Sequence, residues 1–241
     1  MILLIDADII LYRAAASVER EVEFEEDYWV MYTDENEVIQ EFTYSIDALL
    51  ERAETHRYLL CFSDSQNFRK EVLPSYKGNR TTRKPMAFKS IRERIFSEWK
   101  ANIYTLPTLE ADDCLGILMT KKPEAHVIWS ADKDLKQIPG RHLTDEGIVA
   151  ISEEEADLFF YKQVLTGDTT DNYKGCPGIG PVKAEATLSK GPYWPKIVAA
   201  YDKAGLSEDE ALVQARVARI LRNTDWDQDN NKVKLWQPTT V

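Results

Sequence analysis

Acidic residues that directly follow short apolar runs are the feature of this sequence that most restricts its fold. Ile2 to Ile5 is followed by Asp6, and the run that ends at Phe62 is followed by Ser63 and Asp64. Parallel strands of an α/β sheet end at one edge, where such proteins bind ligands, so acids in these positions meet in one crevice. The pattern predicts a mostly parallel sheet, flanked by helices, with an acidic site at its carboxyl edge.

The complete set contains nine carboxylates in five clusters. Two carboxylates about 4 Å apart repel by roughly 4 kcal/mol at an effective dielectric constant of 20, so their convergence requires cations. Oxygen-only ligands favour hard ions, and we predict two Mg²⁺ or Mn²⁺ ions of the kind that serve phosphoryl transfer. Each cluster taken alone could equally be a helix cap or an Asx turn. The clusters are Asp6; Asp64; Glu110, Asp112 and Asp113; Asp132 and Asp134; and Asp168 and Asp171. The nearby Asp8 is given no role.

The charge distribution identifies a second candidate region. The net charge of −11 opposes binding to nucleic acid, but ten Lys or Arg residues and only three Glu residues lie between Arg69 and Lys100. This basic segment therefore carries a surplus of seven positive charges. It is suited to contacting phosphates, although a solvated helix face is the alternative.

Short β-rich runs alternate with helix-like segments along the chain, which favours a parallel sheet. Strands are predicted at 2–5, 58–62, 103–105, 126–130 and 233–236, and helices at 44–56, 88–100, 111–120, 153–166 and 208–222. Asp34-Glu35-Asn36 has turn chemistry, so a hairpin is predicted at 28–42. A change of character near 166–173 divides the chain into 1–166 and a more helical part, 167–241.

Composition restricts the class of protein. With 241 residues and 44% hydrophobic content, the chain can bury a sizeable core. Its three widely spaced cysteines argue against a disulfide framework, and neither a signal peptide nor a membrane span is evident. We therefore expect a cytoplasmic protein.

A glycine-rich segment, Gly175 to Lys183, is a candidate phosphate-binding loop. A Gly178-Ile179-Gly180 turn between two helices would expose backbone N–H groups at a helix start, with Lys183 one turn further on. An ordinary interhelical turn is the alternative interpretation. Because a cradle for phosphate contacts no bases, the first interpretation predicts sequence-independent DNA binding.

In this order the acidic clusters resemble the metal-ligand motifs of the 5′-nuclease family. That family includes flap endonucleases, the nuclease domains of bacterial DNA polymerase I and phage 5′-to-3′ exonucleases. The chain is most similar to the exonucleases of short-tailed phages, through the further segments 64–71, 76–80 and 218–222. The acidic motifs are Leu4-Ile5-Asp6, Phe62-Ser63-Asp64, Glu110-Ala111-Asp112-Asp113, Ser130-Ala131-Asp132-Lys133-Asp134 and Gly167-Asp168-Thr169-Thr170-Asp171.

The resemblance implies a PIN-like nuclease core at 1–166, with a basic arch at 69–100, and a helix-three-turn-helix DNA-binding region within 167–241. It implies two-metal, sequence-independent 5′-to-3′ hydrolysis of duplex DNA in phage replication or host DNA breakdown, with flap endonuclease and RNase H activity as possible additions. The expected partners are duplex DNA with 5′ ends, nicks or flaps, and RNA–DNA hybrids. A monomer is expected, with K⁺ at the helix-three-turn-helix, as in relatives.

The resemblance also assigns roles to the residues that match the family's motifs. Asp6, Asp64, Glu110, Asp112 and Asp132 correspond to the nearer metal ligands, and Asp113, Asp134, Asp168 and Asp171 complete the acidic pocket. Lys77, and after it Arg80, are expected to stabilise the charge that develops on the scissile phosphate. Few residues separate Asn79 from the helix near Ile91, so the arch is short, which favours exonucleolysis over flap cleavage. The expected DNA contacts are Arg69, Tyr76, Arg83, Lys84, Lys89, Gly178, Gly180 and Lys183.

Two other functions stay open from the sequence. A toxin-like ribonuclease on the same PIN-like core would share the acids but would not need the glycine-rich loop. A non-catalytic DNA-binding scaffold would use that loop and the basic segment alone, and would have no reason to keep clustered charge.

Overall fold

Short apolar segments form the strands of the computed structural model, which describes residues 1–238. In this part of the chain a six-stranded central sheet is accompanied by two small two-stranded sheets. The strands are β1 (Ile2–Asp6), β2 (Arg20–Glu25), β3 (Tyr28–Tyr32), β4 (Tyr58–Cys61), β5 (Ile103–Tyr104), β6 (His126–Trp129), β7 (Gly140–Thr144), β8 (Gly147–Ile151), β9 (Trp226–Asp227) and β10 (Lys232–Val233).

The central sheet has the order β5-β4-β1-β6-β7-β8. β1 lies in the middle and pairs in parallel with β4 and β6, and only the edge strand β8 of this sheet runs antiparallel to its neighbour. Leu3, Leu4 and Ile5 are fully buried, as expected for a strand that helices cover on both faces. The predicted α/β fold with a mostly parallel sheet is confirmed.

Helices cover both faces of the sheet and also form a separate group beyond it. The α-helices are α1 (Ala7–Val18), α2 (Glu35–Arg52), α3 (Arg69–Val72), α4 (Phe88–Glu98), α5 (Ala111–Lys121), α6 (Glu153–Thr166), α7 (Pro181–Thr187), α8 (Tyr193–Lys203) and α9 (Glu208–Ala218). Short 3₁₀ turns lie at Lys100–Asn102, Lys133–Gln137 and Asn223–Asp225.

Three apolar clusters hold these layers together. α1, α2 and α4 pack on one face of the sheet, and α5 packs on the other together with Ile220 and Leu221. A third cluster joins α6 to α7, α8 and α9 and includes Tyr76. The chain therefore leaves the sheet at α6 and returns to it after α9. The division predicted at residue 166 stays a prediction, and this packing supports placing it before α6.

The predicted hairpin at 28–42 is wrong in its second strand. β3 pairs with β2, which precedes it, and the segment after Asp34 belongs to α2. The Asp34 side chain accepts hydrogen bonds from the backbone N–H groups of Asn36 and Glu37, so it caps a helix and does not form a strand turn. Val38, Phe42 and Ile46 are buried at helical spacing, which explains why the segment folds onto α1.

Some element ends also differ from the prediction. α9 ends at Ala218 and not at 222, because the chain turns there towards the sheet. The terminal strand is limited to Lys232–Val233, and the β7–β8 hairpin was not predicted. The strands predicted near 2, 58, 103 and 126 and the helices near 88, 111 and 153 are present.

Two compositional expectations can be compared with the structure. Cys61, Cys114 and Cys176 are all buried free thiols. None of the helices formed by residues 1–238 combines the length and the apolar character that crossing a membrane requires.

Candidate active site

Three neighbouring strand ends supply the floor of the site. β1 ends at Asp6, and the segments after β4 and β6 bring Ser63 and Ser130 to the same edge of the sheet. The Ser130 hydroxyl donates to Asp6 Oδ2 at 2.8 Å, and the backbone N–H of Ser63 donates to Asp8 Oδ2 at 2.8 Å. These bonds fix both acids beside the adjacent strand ends.

Helix α5 brings its first turn to the same place. The backbone N–H of Ala111 donates to Ser63 Oγ at 3.0 Å, which ties the start of the helix to the end of β4. Glu110 caps this helix, and Asp112 follows inside the first turn. Negative charge is favourable here because the helix macrodipole is positive at its N-terminus.

The result is an acidic cleft made of two adjoining cavities, of about 640 and 140 Å³. Both cavities are lined by Lys77, Arg80, Glu110, Asp112 and Asp132. The larger cavity adds Asp6, Asp8, Asp64, Lys84, Lys89 and Arg92, and the smaller one adds Arg69, Tyr76, Asp134, Asp168 and Asp171. The structure thus brings together eight of the nine acids predicted as ligands, all except Asp113.

Crowding of these carboxylates disfavours their charged forms. Burial, together with repulsion from Asp8 and Asp132, raises the pKa of Asp6 to about 7. Burial and then repulsion from Asp6 and Asp132 raise the pKa of Asp112 well above its usual value, and burial raises that of Asp134 to about 6. A bound cation would relieve this repulsion.

Glu110 differs from these acids because cations already surround it. Lys77 Nζ bonds to its Oε1, while Arg69 Nη1 and the Tyr76 hydroxyl donate to its Oε2 at 3.1 and 3.0 Å. Burial would raise the pKa of Glu110, but Lys77 and Arg69 lower it to about 2. The Glu110 carboxylate is therefore charged at neutral pH.

Asp171 joins the second acidic loop to the same basic residues. Its Oδ2 accepts from the Tyr76 hydroxyl at 2.8 Å, and its Oδ1 accepts from Arg80 Nη2 at 2.7 Å. The loop folds tightly because Gly167 and Gly175 lie back to back with φ values of 66° and 64°. A Cβ on Gly175 would meet Gly167 N at 2.3 Å, so no larger residue fits there.

Asp113 and Arg69 do not have the predicted site roles. Asp113 is fully buried, and its two oxygens accept from Arg69 Nη1 and Nη2, both at 2.7 Å. Arg69 also donates to the carbonyls of Val217 and Arg219. With its guanidinium bonded inside the protein and 2% of its surface exposed, Arg69 cannot bind DNA as predicted. Asp113 is its structural partner.

The other predicted DNA contacts are placed differently. Tyr76 is buried, and only its hydroxyl reaches the cleft, so it is not a surface contact. Arg83 forms an ion pair with Glu19, while Lys84 and Lys89 line the larger cavity. Gly178 has a φ of 74°, and Lys183 Nζ donates to the Gly178 carbonyl at 2.9 Å, which closes the glycine-rich loop on itself.

Two acids in the cleft also hold the local backbone. Asp64 Oδ2 accepts from the N–H of Thr108 at 2.7 Å, and this bond lowers the pKa of Asp64. Asp132 Oδ1 accepts from the N–H of Asp134 at 2.8 Å. Both carboxylates thus combine the turn role that the sequence left open with a position on the cleft wall.

Asp8 and Arg92 are cleft residues that the sequence analysis did not select. Asp8 lies in the first turn of α1, two residues after Asp6, and Arg92 Nη2 donates to the Ser63 carbonyl at 2.8 Å. The two-residue spacing between Asp6 and Asp8 is a sequence signal that identifies Asp8. The only sequence signal for Arg92 is its membership of the basic segment.

The donor set of the cleft suits a hard divalent cation. Its acids offer only oxygen, and Asp134 Oδ1 is a buried atom without a hydrogen-bond partner among the residues described. Within residues 1–238, no three His, Cys, Asp or Glu side chains already converge as a ligand set. The fit therefore lies in the oxygen donors that the cleft walls offer.

Comparison with known proteins gives consistent matches. The sequence model of the 5′-3′ exonuclease N-terminal resolvase-like domain matches residues 1–164. The chain is 30% identical to an exodeoxyribonuclease of Enterobacteria phage T3 and 28% identical to an exonuclease of Escherichia phage T7. Both alignments cover 98% of this chain and 93% of the relative.

A solved structure shares the fold at low sequence identity. The T5 D15 protein, co-crystallised with metal ions, matches with a TM-score of 0.66 and 15% identity. The match covers 92% of this chain and 90% of that one.

Proposed function

The chain belongs to the 5′-3′ exonuclease family, and on that premise we propose that it hydrolyses duplex DNA from 5′ ends, independently of sequence, with divalent metal ions. One observation carries the proposal. Acids from three neighbouring strand ends and from the start of α5 share the walls of one cleft with Lys77 and Arg80. Phosphodiester hydrolysis requires carboxylates that hold cations and, beside them, basic side chains that bind phosphate.

The metal ions proposed are Mg²⁺ or Mn²⁺. Asp6, Asp112 and Asp132 would hold them from the larger cavity, with Asp134 and Glu110 beside them and Asp64, Asp168 and Asp171 on the outer walls. When bound, two such ions activate a water molecule and stabilise the leaving oxygen of an in-line displacement. The crowding of Asp6 and Asp112 supports this role, because only charge compensation makes their shared ionisation favourable.

Lys77 and Arg80 would act on the phosphate. Both line the two cavities, so their side chains share the cleft with the acids proposed to hold the metal ions. An ammonium or guanidinium that donates to a non-bridging phosphate oxygen stabilises the negative charge that grows there during displacement. We assign this role first to Lys77, whose side chain is the more enclosed of the two.

DNA outside the cleft would be held by contacts to its backbone. Lys84 and Lys89 extend the basic wall of the larger cavity, and the loop from Gly178 to Lys183 would supply backbone N–H groups to a phosphate of the duplex. Such contacts are independent of base sequence. Binding of K⁺ at this loop remains a prediction from the resemblance.

The segment that connects Arg80 to α4 supports exonuclease action over flap threading. It is only seven residues long, from Thr81 to Ala87, and Glu19 bonds both to Arg83 and to the N–H of Met86 at 2.6 Å. A short segment fixed at two points leaves little room for a threaded single strand. Cleavage of flaps therefore ranks below hydrolysis from duplex ends.

Cleavage of 5′-labelled duplex DNA tests the proposal. Asp132→Asn keeps the hydrogen-bond acceptor for the N–H of Asp134 but removes a charge from the cleft, so we expect Mg²⁺-dependent release of mononucleotides to stop. Asp227→Asn is the matched control, since Asp227 caps an exposed turn through the N–H groups of Asp229 and Asn230. Equal activity of the Asp132 variant and the control would refute the assignment of the site.

The same assay separates the two other functions. A ribonuclease would degrade single-stranded RNA faster than duplex DNA, and a scaffold would bind duplex without a metal-dependent change in its length. The family match favours neither alternative. Cleavage rates on blunt, nicked and flap duplexes, measured side by side, would rank the DNA substrates.

A further inference from the structure

Lys77 lies among the acids of the cleft and pairs with two of them. Its Nζ bonds to Glu110 Oε1 and lies 3.5 Å from Asp171 Oδ2, and 17% of its side chain is exposed. The ammonium also lies 5.1 Å from the centre of the Tyr76 ring. Lys77 thus occupies a polar, nearly enclosed position between the two acidic loops.

The backbone holds Lys77 in this position. Its φ of 54° lies in the left-handed region, which costs about 1 kcal/mol or more for a residue other than glycine. Its N–H donates to the Asp171 carbonyl at 2.9 Å, and Asn79 Nδ2 donates to the Thr169 carbonyl at 2.8 Å. Because the acidic loop fixes the main chain on both sides, only the side chain of Lys77 is free to change its partner.

The oxygens of Glu110 are not equivalent. Oε2 accepts from Arg69 and Tyr76, which are buried and belong to the packed interior, whereas Oε1 is bonded to Lys77. A cleft cation that binds Glu110 must therefore use the oxygen that the ammonium holds. The ammonium and a divalent ion repel each other at close range, so their simultaneous binding to that oxygen is unfavourable.

We propose that Lys77 is a resident counter-ion of Glu110, that it leaves this carboxylate when divalent ions are bound, and that it thereby becomes available to the scissile phosphate. This inference rests on the proposed function. It assigns one ammonium to two successive partners, first a carboxylate and then a phosphate oxygen.

A thermodynamic consequence follows from the shared oxygen. If Lys77 and a divalent ion compete for Glu110, each weakens the binding of the other by the same factor. A phosphate that draws Lys77 away removes the competitor, so DNA and metal should bind with positive cooperativity. Without the ammonium, the metal should bind more tightly even though catalysis becomes slower.

Calorimetric titration with Mn²⁺ tests this directly. We expect Lys77→Met to bind Mn²⁺ about tenfold more tightly than the unaltered chain, the size of a typical coupling between two sites. Lys89→Met is the control, because Lys89 also lines the larger cavity but is 90% exposed and lies 4.0 Å from its only paired acid within residues 1–238, Glu93. Its removal reports the general effect of losing one positive charge.

The outcomes separate this inference from the proposed function. Equal Mn²⁺ affinities for the Lys77 and Lys89 variants, or weaker binding by the Lys77 variant, would overturn the inference and leave the metal site intact. Absence of Mn²⁺ binding by all three proteins would overturn both.

A second measurement avoids substitution altogether. Acetic anhydride modifies exposed amines, and mass spectrometry of peptides reports the extent at each lysine. We expect modification of Lys77 to rise severalfold when Mn²⁺ is added, while that of Lys89 stays constant. If Lys77 is equally protected with and without Mn²⁺, it does not leave Glu110 and the inference fails.

Discussion

Glu110 and Asp113 flank the first turn of α5 and share Arg69, yet they belong to two different environments. Both oxygens of Asp113 accept from Arg69, and Oδ1 also accepts from the N–H of Leu221 at 3.0 Å. Glu110 is bonded to the interior on one side and to Lys77 in the cleft on the other. The Arg69–Asp113 pair is buried in the fold, whereas a ligand in the cleft can replace Lys77 as the partner of Glu110.

The fold separates a structural carboxylate from a functional one by the partners that surround each of them. A buried carboxylate with a bidentate guanidinium partner needs no further cation, and it joins α5 to the segment that follows α9. A carboxylate at a cleft wall retains an oxygen whose partner can leave. Position within the acidic motif does not decide between these roles; the identity of the partner does.

Removal of Asp113 should have the largest effect of the changes proposed. Asp113→Ala leaves the Arg69 guanidinium buried without its main partner, which costs about 3–5 kcal/mol of unfolding free energy. Urea unfolding followed by circular dichroism measures it. The control is Glu37→Ala, which breaks the exposed Arg20–Glu37 pair and should cost less than about 1 kcal/mol. Similar losses in both variants would contradict the structural role.

Removal of Lys77 should affect catalysis more than stability, because Arg69 still pairs with Glu110. We expect Lys77→Met to lower kcat by about 10²–10³-fold, as loss of one transition-state donor does in other enzymes. Single-turnover cleavage of 5′-labelled duplex gives this rate, and filter binding gives DNA affinity. A variant that keeps its rate but loses affinity would make Lys77 a docking residue.

A double variant tests whether the contributions of Arg69 and Asp113 to stability depend on each other. Because Arg69 and Asp113 compensate each other, the losses for Arg69→Met and Asp113→Leu should not add in the double variant. We expect an interaction energy of about 2 kcal/mol from a double-mutant cycle of unfolding free energies. The double variant should not regain the unfolding free energy of the unaltered chain, since Arg69 also donates to Glu110 and to two backbone carbonyls. Strict additivity would show that the two charges do not depend on each other.

The sequence predicted the central sheet because short apolar runs precede acids: β1 ends at Asp6, and Asp64 and Asp132 each lie three residues after the end of β4 and of β6. It also placed Asp6, Asp112 and Asp132, because each adjoins a strand end or a helix start. It could not separate Asp112 from Asp113, since the partner of Asp113 is Arg69, 44 residues away, and only the folded chain brings them together.

The misplaced hairpin has a local cause. Asp34 suits both a strand turn and a helix cap. Strand β2 alternates polar and apolar residues from Glu21 to Glu25, but its surplus of acids is equally typical of an exposed acidic stretch. The buried positions Val38, Phe42, Ile46 and Leu49 repeat at helical spacing and would have identified α2. The resemblance places Arg69 and Tyr76 among the DNA contacts because both belong to segments shared with phage exonucleases, and only the fold shows that both side chains are buried.

The smallest expected effect is the pH dependence of the stabilisation by Mg²⁺. The pKa of Asp6 is raised to about 7 and that of Asp134 to about 6, so their charged forms are disfavoured in the fold. For carboxyls raised in this way, stability is lost as pH rises from the unfolded pKa, near 4, through the folded one. Mg²⁺ should therefore raise the melting temperature more at pH 8 than at pH 5.5. An equal shift at both values would separate these acids from the metal.

The most direct test of the account compares two neighbouring acids, Asp112 and Asp113, in one assay. Single-turnover cleavage of 5′-labelled duplex with Mg²⁺ is measured for Asp112→Asn and Asp113→Asn, each corrected for the folded fraction. We expect the Asp112 variant to lose cleavage while folding normally, and the Asp113 variant to cleave at nearly the original rate per folded molecule. Loss of cleavage by folded Asp113→Asn, with activity retained by Asp112→Asn, would contradict the division between the two environments.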